Sequence, residues 1–448
     1  MDILKIKKAH FIGLGGIGVS ALASVLYYKG ITISGSDNVE SDITDEFKNK
    51  GIKFFNKQSE KNINKNLDVV IYSPAITKDN PELKEAIKLK IKCLSYPEAL
   101  GQLTKKYHTI AICGTHGKST TTAMLADILT NAKKDPTVVI GTKMKEFGNK
   151  NYRIGKSKYL LIEACEYKKS FLNFSPKIII ITNIEADHLD YYKNLKNYIK
   201  AFELFAKKPA KSGKIIFDKN DKNSLLAIKN SKSEKISLSE KDKNSNFQLS
   251  KNILKNKDTK LTLNPSVPGS FNIKNAAMAA IAALDLGIDK RTIESSIKAF
   301  KGSWRRLEVK KVKNINTMLI DDYGHHPTEI RVTLHAIREK FKHSKILCVF
   351  QPHQYSRTKF FLKEFGKSFN EVNEVIIPNI YKVRDSEKDI KSTSREMLIK
   401  EIKKNNKNVL SEVEGLKNTV EYIKKNHKKY DIIVTMGAGD IEDIYKMF

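Results

Sequence analysis

The run Gly114-Thr115-His116-Gly117-Lys118-Ser119-Thr120 carries the clearest chemistry in the chain. Residues 109–113 before it read as a short buried strand, and residues 121–129 after it as a helix. A glycine-rich turn between a strand and a helix N-terminus points backbone N–H groups at one spot, a geometry that suits phosphate. Lys118 is spaced to reach the outer phosphates, and the Ser119 hydroxyl to hold magnesium. A full-length phosphate loop would place glycine at position 112, where Ile112 stands, so this is a shortened form. A chance glycine-lysine turn would lack the flanking strand and helix. The context therefore predicts a nucleoside triphosphate site.

A second glycine turn, Gly13-Leu14-Gly15-Gly16-Ile17-Gly18, is followed about twenty residues on by Asp37, as in dinucleotide folds. By itself this turn is compatible with NAD, with a UDP-sugar or with a purely structural role. A triphosphate loop in the same chain favours a nucleotide-linked substrate over a redox cofactor. Glu163 and the segment 182–190 each follow a predicted parallel strand, at the sheet edge where ligands collect. From there Glu163 and His188 could face the phosphates and join Ser119 around magnesium. Histidine is an unusual ligand for a hard cation, and a buried, hydrogen-bonded histidine fits the spacing equally well. In the last third, Asp321-Asp322-Tyr323-Gly324-His325-His326-Pro327 and Gln351-Pro352-His353-Gln354-Tyr355-Ser356-Arg357 both follow strands. Two loops that combine rings, imidazoles and a guanidinium at equivalent places point to carboxylate recognition rather than ordinary loop polarity.

The elements that must position these residues alternate between short apolar strands and amphipathic helices, an α/β pattern built on parallel sheets. Strands are predicted at 9–14, 32–34 and 69–72, with a helix over Ile17–Tyr28. A basic, polar stretch near 103–107 opens a second unit with strands at 109–113, 137–140, 159–162, 178–182 and 214–217. Residues 218–260 are dense in Lys, Asn and Ser and read as a peripheral part of that unit. A packed helix follows near 275–286. A third unit after Trp304 has strands at 317–320, 346–350, 374–377 and 432–436. The domains are expected at 1–106, 107–299 and 300–448.

A chain of 448 residues is long enough for two or three separately cored domains. Its formal charge of +31 would point to nucleic acid if it were clustered, but the lysines are spread throughout and lack interleaved aromatics. A positive field of this kind still attracts anionic nucleotides. Cys93, Cys113, Cys165 and Cys348 are too scattered for a zinc or redox motif and fit a reducing compartment. Lys5, Lys7 and Lys8 before an apolar run imitate a secretion signal. Gly13, Gly15, Gly16 and Gly18 interrupt the continuous helix such a signal needs. A cytoplasmic protein is expected.

Taken in order, these residues resemble the Mur ligases over nearly the whole chain. The likeness rests on residues 13–18, Ser34-Gly35-Ser36-Asp37, Ser73-Pro74-Ala75-Ile76, residues 114–120 and 182–190, Phe300-Lys301-Gly302-Ser303-Trp304-Arg305-Arg306, and the two C-terminal clusters. It implies a Rossmann-like N-terminal domain for a UDP-sugar, a central P-loop ATPase domain with a mostly parallel sheet, and a Rossmann-like C-terminal domain for an amino acid. It further implies ATP and magnesium as cofactors, with UDP-N-acetylmuramate and L-alanine as substrates joined through an acyl phosphate. No nucleic acid or membrane partner is implied, and the state expected is a monomer or homodimer. The alternative is attachment of a recycled murein tripeptide to the same sugar. By similarity Gly15, Gly16, Ile17, Gly18, Asp37, Ser73, Pro74 and Ala75 face the UDP-sugar; Asn272 and Asn275 face adenine. Lys118 faces the transferring phosphate, with Ser119, Glu163 and His188 at the metal. Tyr323, His325, His353 and Arg357 line the amino-acid side. The chain departs from the family pattern at Phe271 (usually histidine), Gln354 (commonly arginine) and Cys165 (an aspartate).

Overall fold

Runs of β-branched residues with both faces apolar make strands that must be covered on each side, and the chain supplies helices between them to do so. The computed structural model describes residues 1–209, 212–383 and 385–448. They form two compact units. One comprises Met1–Asp187, Asn194–Asn264 and Asn275–Ala299; the other comprises His188–Lys193, Pro265–Lys274 and Phe300–Phe448.

The first unit holds two sheets. The smaller runs Lys53–Phe55, Thr32–Ser36, Lys8–Ile12, Val69–Tyr72, Lys92–Ser95 in space, all parallel. Phe11, Ile12, Val69, Val70 and Ile71 are completely buried, each burial contributing about 1.5–3 kcal/mol to the core. The first strand stops at Ile12 rather than continuing to Leu14. Gly13 turns the chain at φ +81°, and the N–H groups of Gly13 and Leu14 both donate to the Ser36 carbonyl at 2.8 and 3.0 Å.

The larger sheet has ten strands, and at its centre His108–Cys113 lies between Ile178–Ile181 and Tyr159–Glu163, parallel to both. Beyond Tyr159–Glu163 come Thr137–Met144 and then Lys150–Arg153, which close one side as an antiparallel hairpin. On the other side the order continues through Lys214–Asp218, Glu234–Ser239, Phe247–Ser250, Ile253–Lys255 and Lys260–Thr262. Residues 218–260 thus extend the sheet outward, and the apolar side chains that seat them, Ile236, Leu238, Leu249 and Leu254, are too widely spaced to stand out in the sequence. Helix Lys118–Asn131 begins three residues before its predicted start, and helix Ser270–Asp285 begins five before.

The second unit carries a five-stranded sheet, Glu308–Val312, Ile315–Asp322, Ile432–Met436, Ile346–Phe350 and Glu374–Ile376. Only the first pair is antiparallel. Leu347, Val349, Ile376, Ile433, Ile441 and Ile444 form one face of its core.

Candidate functional site

The carboxyl end of His108–Cys113 is a topological switch point, because its two neighbours lie on opposite sides and arrive through separate crossovers. Ile112 is still within this strand, paired with Ile180 and Glu163, so the turn begins two residues later than in a full-length phosphate loop. Gly114 takes φ +136°, where a Cβ would run into the Thr182 hydroxyl, and Gly117 takes φ +81°, where one would collide with the Asn275 amide. Gly117 caps helix Lys118–Asn131, whose first turn has no acidic residue and no side-chain cap. Its leading N–H groups and dipole are therefore presented to an incoming anion.

The loop is held from below by the segment after Ile178–Ile181. Thr115 N–H donates to the Asn183 carbonyl at 2.9 Å, His116 N–H to Asn183 Oδ1 at 3.0 Å, and the Thr182 hydroxyl to the His116 carbonyl at 2.6 Å. Thr115 Oγ1 donates to the Glu185 carbonyl at 3.0 Å, and His116 Nε2 lies 3.3 Å from Glu185 Oε2. Thr120 is buried in the first helical turn.

Lys118 curls back over the loop. Its ammonium donates to the carbonyls of Gly114 at 2.5 Å and Thr115 at 3.0 Å, and to Glu166 Oε1 at 3.2 Å. Burial pulls the Lys118 pKa down, but the negative charge of Glu166 outweighs it and holds the pKa above the usual lysine range, so the cation persists. Glu166, 1 % exposed, also accepts from the Tyr198 hydroxyl at 3.2 Å. Sequence reading missed Glu166; its only signal was its place three residues after Glu163, behind the exposed Cys165.

Ser119 Oγ donates to Glu163 Oε2 at 2.9 Å, and the same oxygen accepts the Gly141 N–H at 3.0 Å. A hydroxyl and a carboxylate side by side at the mouth of a phosphate cradle are hard oxygen donors of the kind magnesium takes. His188 lies in the second unit, at φ +51°, and its carbonyl accepts the N–H groups of Tyr191 and Tyr192 at the start of Leu189–Tyr192. Asn272 belongs to that unit too and donates to the Pro268 carbonyl at 2.7 Å.

The second glycine turn also occupies a switch point, with Lys8–Ile12 between Thr32–Ser36 and Val69–Tyr72. Asp37 accepts the Gly15 N–H at 2.9 Å and the Val39 N–H at 3.1 Å, clamping the turn. Gly16 N–H donates to the Gly13 carbonyl at 3.2 Å, and Gly16 leads into helix Ile17–Tyr28, again without an acidic first turn or side-chain cap. Gly18 faces the Tyr96 ring, which a Cβ would meet at 2.9 Å. Ser73 follows Val69–Tyr72 and accepts the Ala75 N–H at 3.3 Å across Pro74.

In the second unit the two polar clusters converge. Tyr323 and His325 meet edge to face at 5.7 Å, His325 and His353 at 5.8 Å, and His353 stacks on Tyr381 at 5.7 Å. Arg357, 7 % exposed, reaches both Nδ1 and the carbonyl of His353 at 3.2 Å. Gln354 is buried at φ +83°. Beneath them Arg305 donates to Asp321 at 2.9 Å and to the Gly437 carbonyl at 2.7 Å, a buried pair the sequence did not reveal. Asp322 accepts from Leu307 and Gly324, and burial raises its pKa to about 6.

Three family patterns match the chain end to end: the Mur ligase family catalytic domain over residues 8–108, the Mur ligase middle domain over 112–284, and the Mur ligase glutamate ligase domain over 305–439. The chain belongs to the Mur ligase family. A UDP-N-acetylmuramate–L-alanine ligase from Clostridium tetani is 41 % identical over 451 residues, spanning 98 % of this chain and 97 % of that protein. One from Acetivibrio thermocellus is 40 % identical over 462 residues, spanning 100 % and 97 %. A solved UDP-N-acetylmuramate-alanine ligase from Thermotoga maritima superposes with a TM-score of 0.80 at 28 % identity, over 98 % of each chain. A murein peptide ligase from Psychrobacter arcticus shares the fold, with a TM-score of 0.76 at 23 % identity over 98 % of each. Among the described residues of this Mur ligase, no helix is long and apolar enough to cross a membrane.

Proposed function

We propose that this Mur ligase uses ATP to join L-alanine to the carboxylate of UDP-N-acetylmuramate. The observation that carries the reading is the phosphate cradle of residues 114–120, with Lys118 kept charged by Glu166. It is supported by full-length identity of about two in five residues to ligases named for that reaction.

A carboxylate is a poor acylating agent because its leaving group would be oxide. Attack of the carboxylate oxygen on the terminal phosphorus of ATP releases ADP and makes an acyl phosphate. The amine of alanine then adds to the acyl carbon, and collapse of the tetrahedral adduct expels phosphate and leaves the amide. Lys118 and the N–H groups at the start of Lys118–Asn131 offset the charge that spreads over the phosphoryl oxygens, where fixed donors act most strongly. Ser119 and Glu163 would hold magnesium, which when bound supplies further positive charge beside those oxygens. Gly15, Gly16, Ile17 and Gly18 receive the pyrophosphate of the sugar nucleotide, held in shape by Asp37, with Ser73, Pro74 and Ala75 beside them. Asn272 and Asn275 face adenine. Arg357 takes the carboxylate of the amino acid, with Tyr323, His325 and His353 around it.

The test is incubation with UDP-N-acetylmuramate, ATP, magnesium and single amine donors, including other amino acids and the murein tripeptide. The expected result is a product heavier by one alanine less one water, with one phosphate released per product. Preference for the tripeptide, or ATP consumption without product, would overturn the reading.

A further inference from the structure

We propose that the hairpin of Thr137–Met144 and Lys150–Arg153 is a positioning element that sets the first glycine turn against the phosphate loop, with Asn151 as its anchor. This rests on the function proposed above. The two turns lie on different sheets of one compact unit. Acyl-phosphate formation needs the sugar carboxylate within about 3–3.5 Å of the terminal phosphorus, so something stiff must fix their separation.

The hairpin reaches the glycine turn directly and the phosphate loop through Glu163. At one end, Gly141 N–H donates at 3.0 Å to the Glu163 oxygen that also accepts the Ser119 hydroxyl. A Cβ on Gly141 would stand 3.0 Å from that oxygen, so any side chain there would press on the Glu163 carboxylate. At the other end, the buried Asn151 amide donates to the Ile17 carbonyl and, at 3.1 Å, to Ser20 Oγ. Ile17 is the first residue of the helix that the glycine turn opens. Thr137–Met144 is tied to Tyr159–Glu163 through Thr137, Val138 and Val139, and Lys150–Arg153 is paired back onto Thr137–Met144.

A second contact locks the outer strand. The Tyr152 hydroxyl donates to Glu46 Oε1 at 2.8 Å and accepts from Lys50 Nζ at 2.9 Å; Lys50 also lies over the Tyr28 ring at 5.2 Å. Glu46 is on Asp42–Asn49 and Tyr28 ends Ile17–Tyr28, so the strand grips two helices of the smaller sheet. Neither Asn151 nor Tyr152 is among the residues assigned above to a substrate or to the metal; both act through what they hold.

Asn151→Leu removes the amide while keeping the number and branching of heavy atoms, and Tyr152→Phe removes only the hydroxyl. Each variant is assayed for kcat and KM in ligation, and for equilibrium binding of UDP and of ADP with magnesium. Because small misplacements in such a site are costly, kcat is expected to fall about tenfold or more in Asn151→Leu and a few-fold in Tyr152→Phe, with both dissociation constants within about twofold of the parent. Unchanged kcat in the folded variants overturns the assignment, as does a loss of nucleotide binding that accounts for the fall. Should Asn151→Leu not fold, Tyr152→Phe decides by the same criteria. A parent protein that binds both nucleotides yet makes no product refutes the functional reading instead.

Discussion

Replacing Lys118 by methionine keeps most of the apolar stem and deletes the ammonium, and its two consequences are separable. All three proton directions of Lys118 are occupied, by the Gly114 and Thr115 carbonyls and by Glu166. Glu166 is 1 % exposed and Lys118 15 % exposed at the side chain. Loss of the cation therefore strands a carboxylate with little access to water, at a cost of about 3 kcal/mol or more in stability. Independently, loss of one fixed donor to the transferring phosphoryl group is expected to lower kcat by about 10²–10³. Adding Glu166→Gln removes the stranded charge, so the double variant should recover stability to within about 1 kcal/mol of the parent, as expected when both members of a buried pair are made neutral. It should not recover turnover. Denaturant titration reads the first quantity and phosphate release coupled to product mass reads the second. Near-parental turnover in Lys118→Met would refute the phosphate-contact role, and joint recovery of stability and turnover in the double variant would show that the lysine serves only the fold.

Glu163→Gln should raise the magnesium concentration needed for half-maximal activity by about tenfold or more, as loss of a ligating carboxylate does, while UDP binding holds. Gly117→Ala, which places a methyl group against the Asn275 amide, should abolish detectable ADP binding by calorimetry without disturbing the UDP site. Asp322 gives a pH signature in the second unit. Its carboxyl rises from 3.8 to about 6 through burial, so the folded protein holds that proton more tightly than the unfolded chain. Its stabilising effect is complete below the ordinary carboxylate range and is lost as pH climbs to about 6, a drop of roughly 3 kcal/mol at about 1.4 kcal/mol per unit. Asp322→Asn should flatten that slope in chemical-denaturation curves taken between pH 4 and 7.

The sequence disclosed what is local. The phosphate loop, the first glycine turn and the strand-end clusters of the last third were all legible, because a glycine turn between a strand and a helix is specified by adjacent residues. The late start of the loop was also readable, since Ile112 marks a position still in the sheet. What escaped were partnerships across long separations. Glu166 meets Lys118 only because two parallel strands stand side by side, and Arg305 meets Asp321 through the packing of a loop on a strand. Asp37 was anticipated near a ligand, whereas in the fold its carboxylate also shapes the turn through Gly15. Residues 218–260 showed no strong apolar period because their strands are short and their exposed positions carry Glu, Lys, Ser and Thr.

That outer region gives the excess of lysine a use. In the last pair of the ten-stranded sheet, Lys255 and Lys260 sit directly opposite one another and both are exposed. Like charges so placed repel slightly, but they also set two ammonium ions beside the edge strand, whose Thr262 N–H already donates to Glu294 Oε1 at 2.6 Å. An edge that is both charged and partly capped discourages the addition of a further strand, and neutralising that lysine pair should make fibril seeding easier.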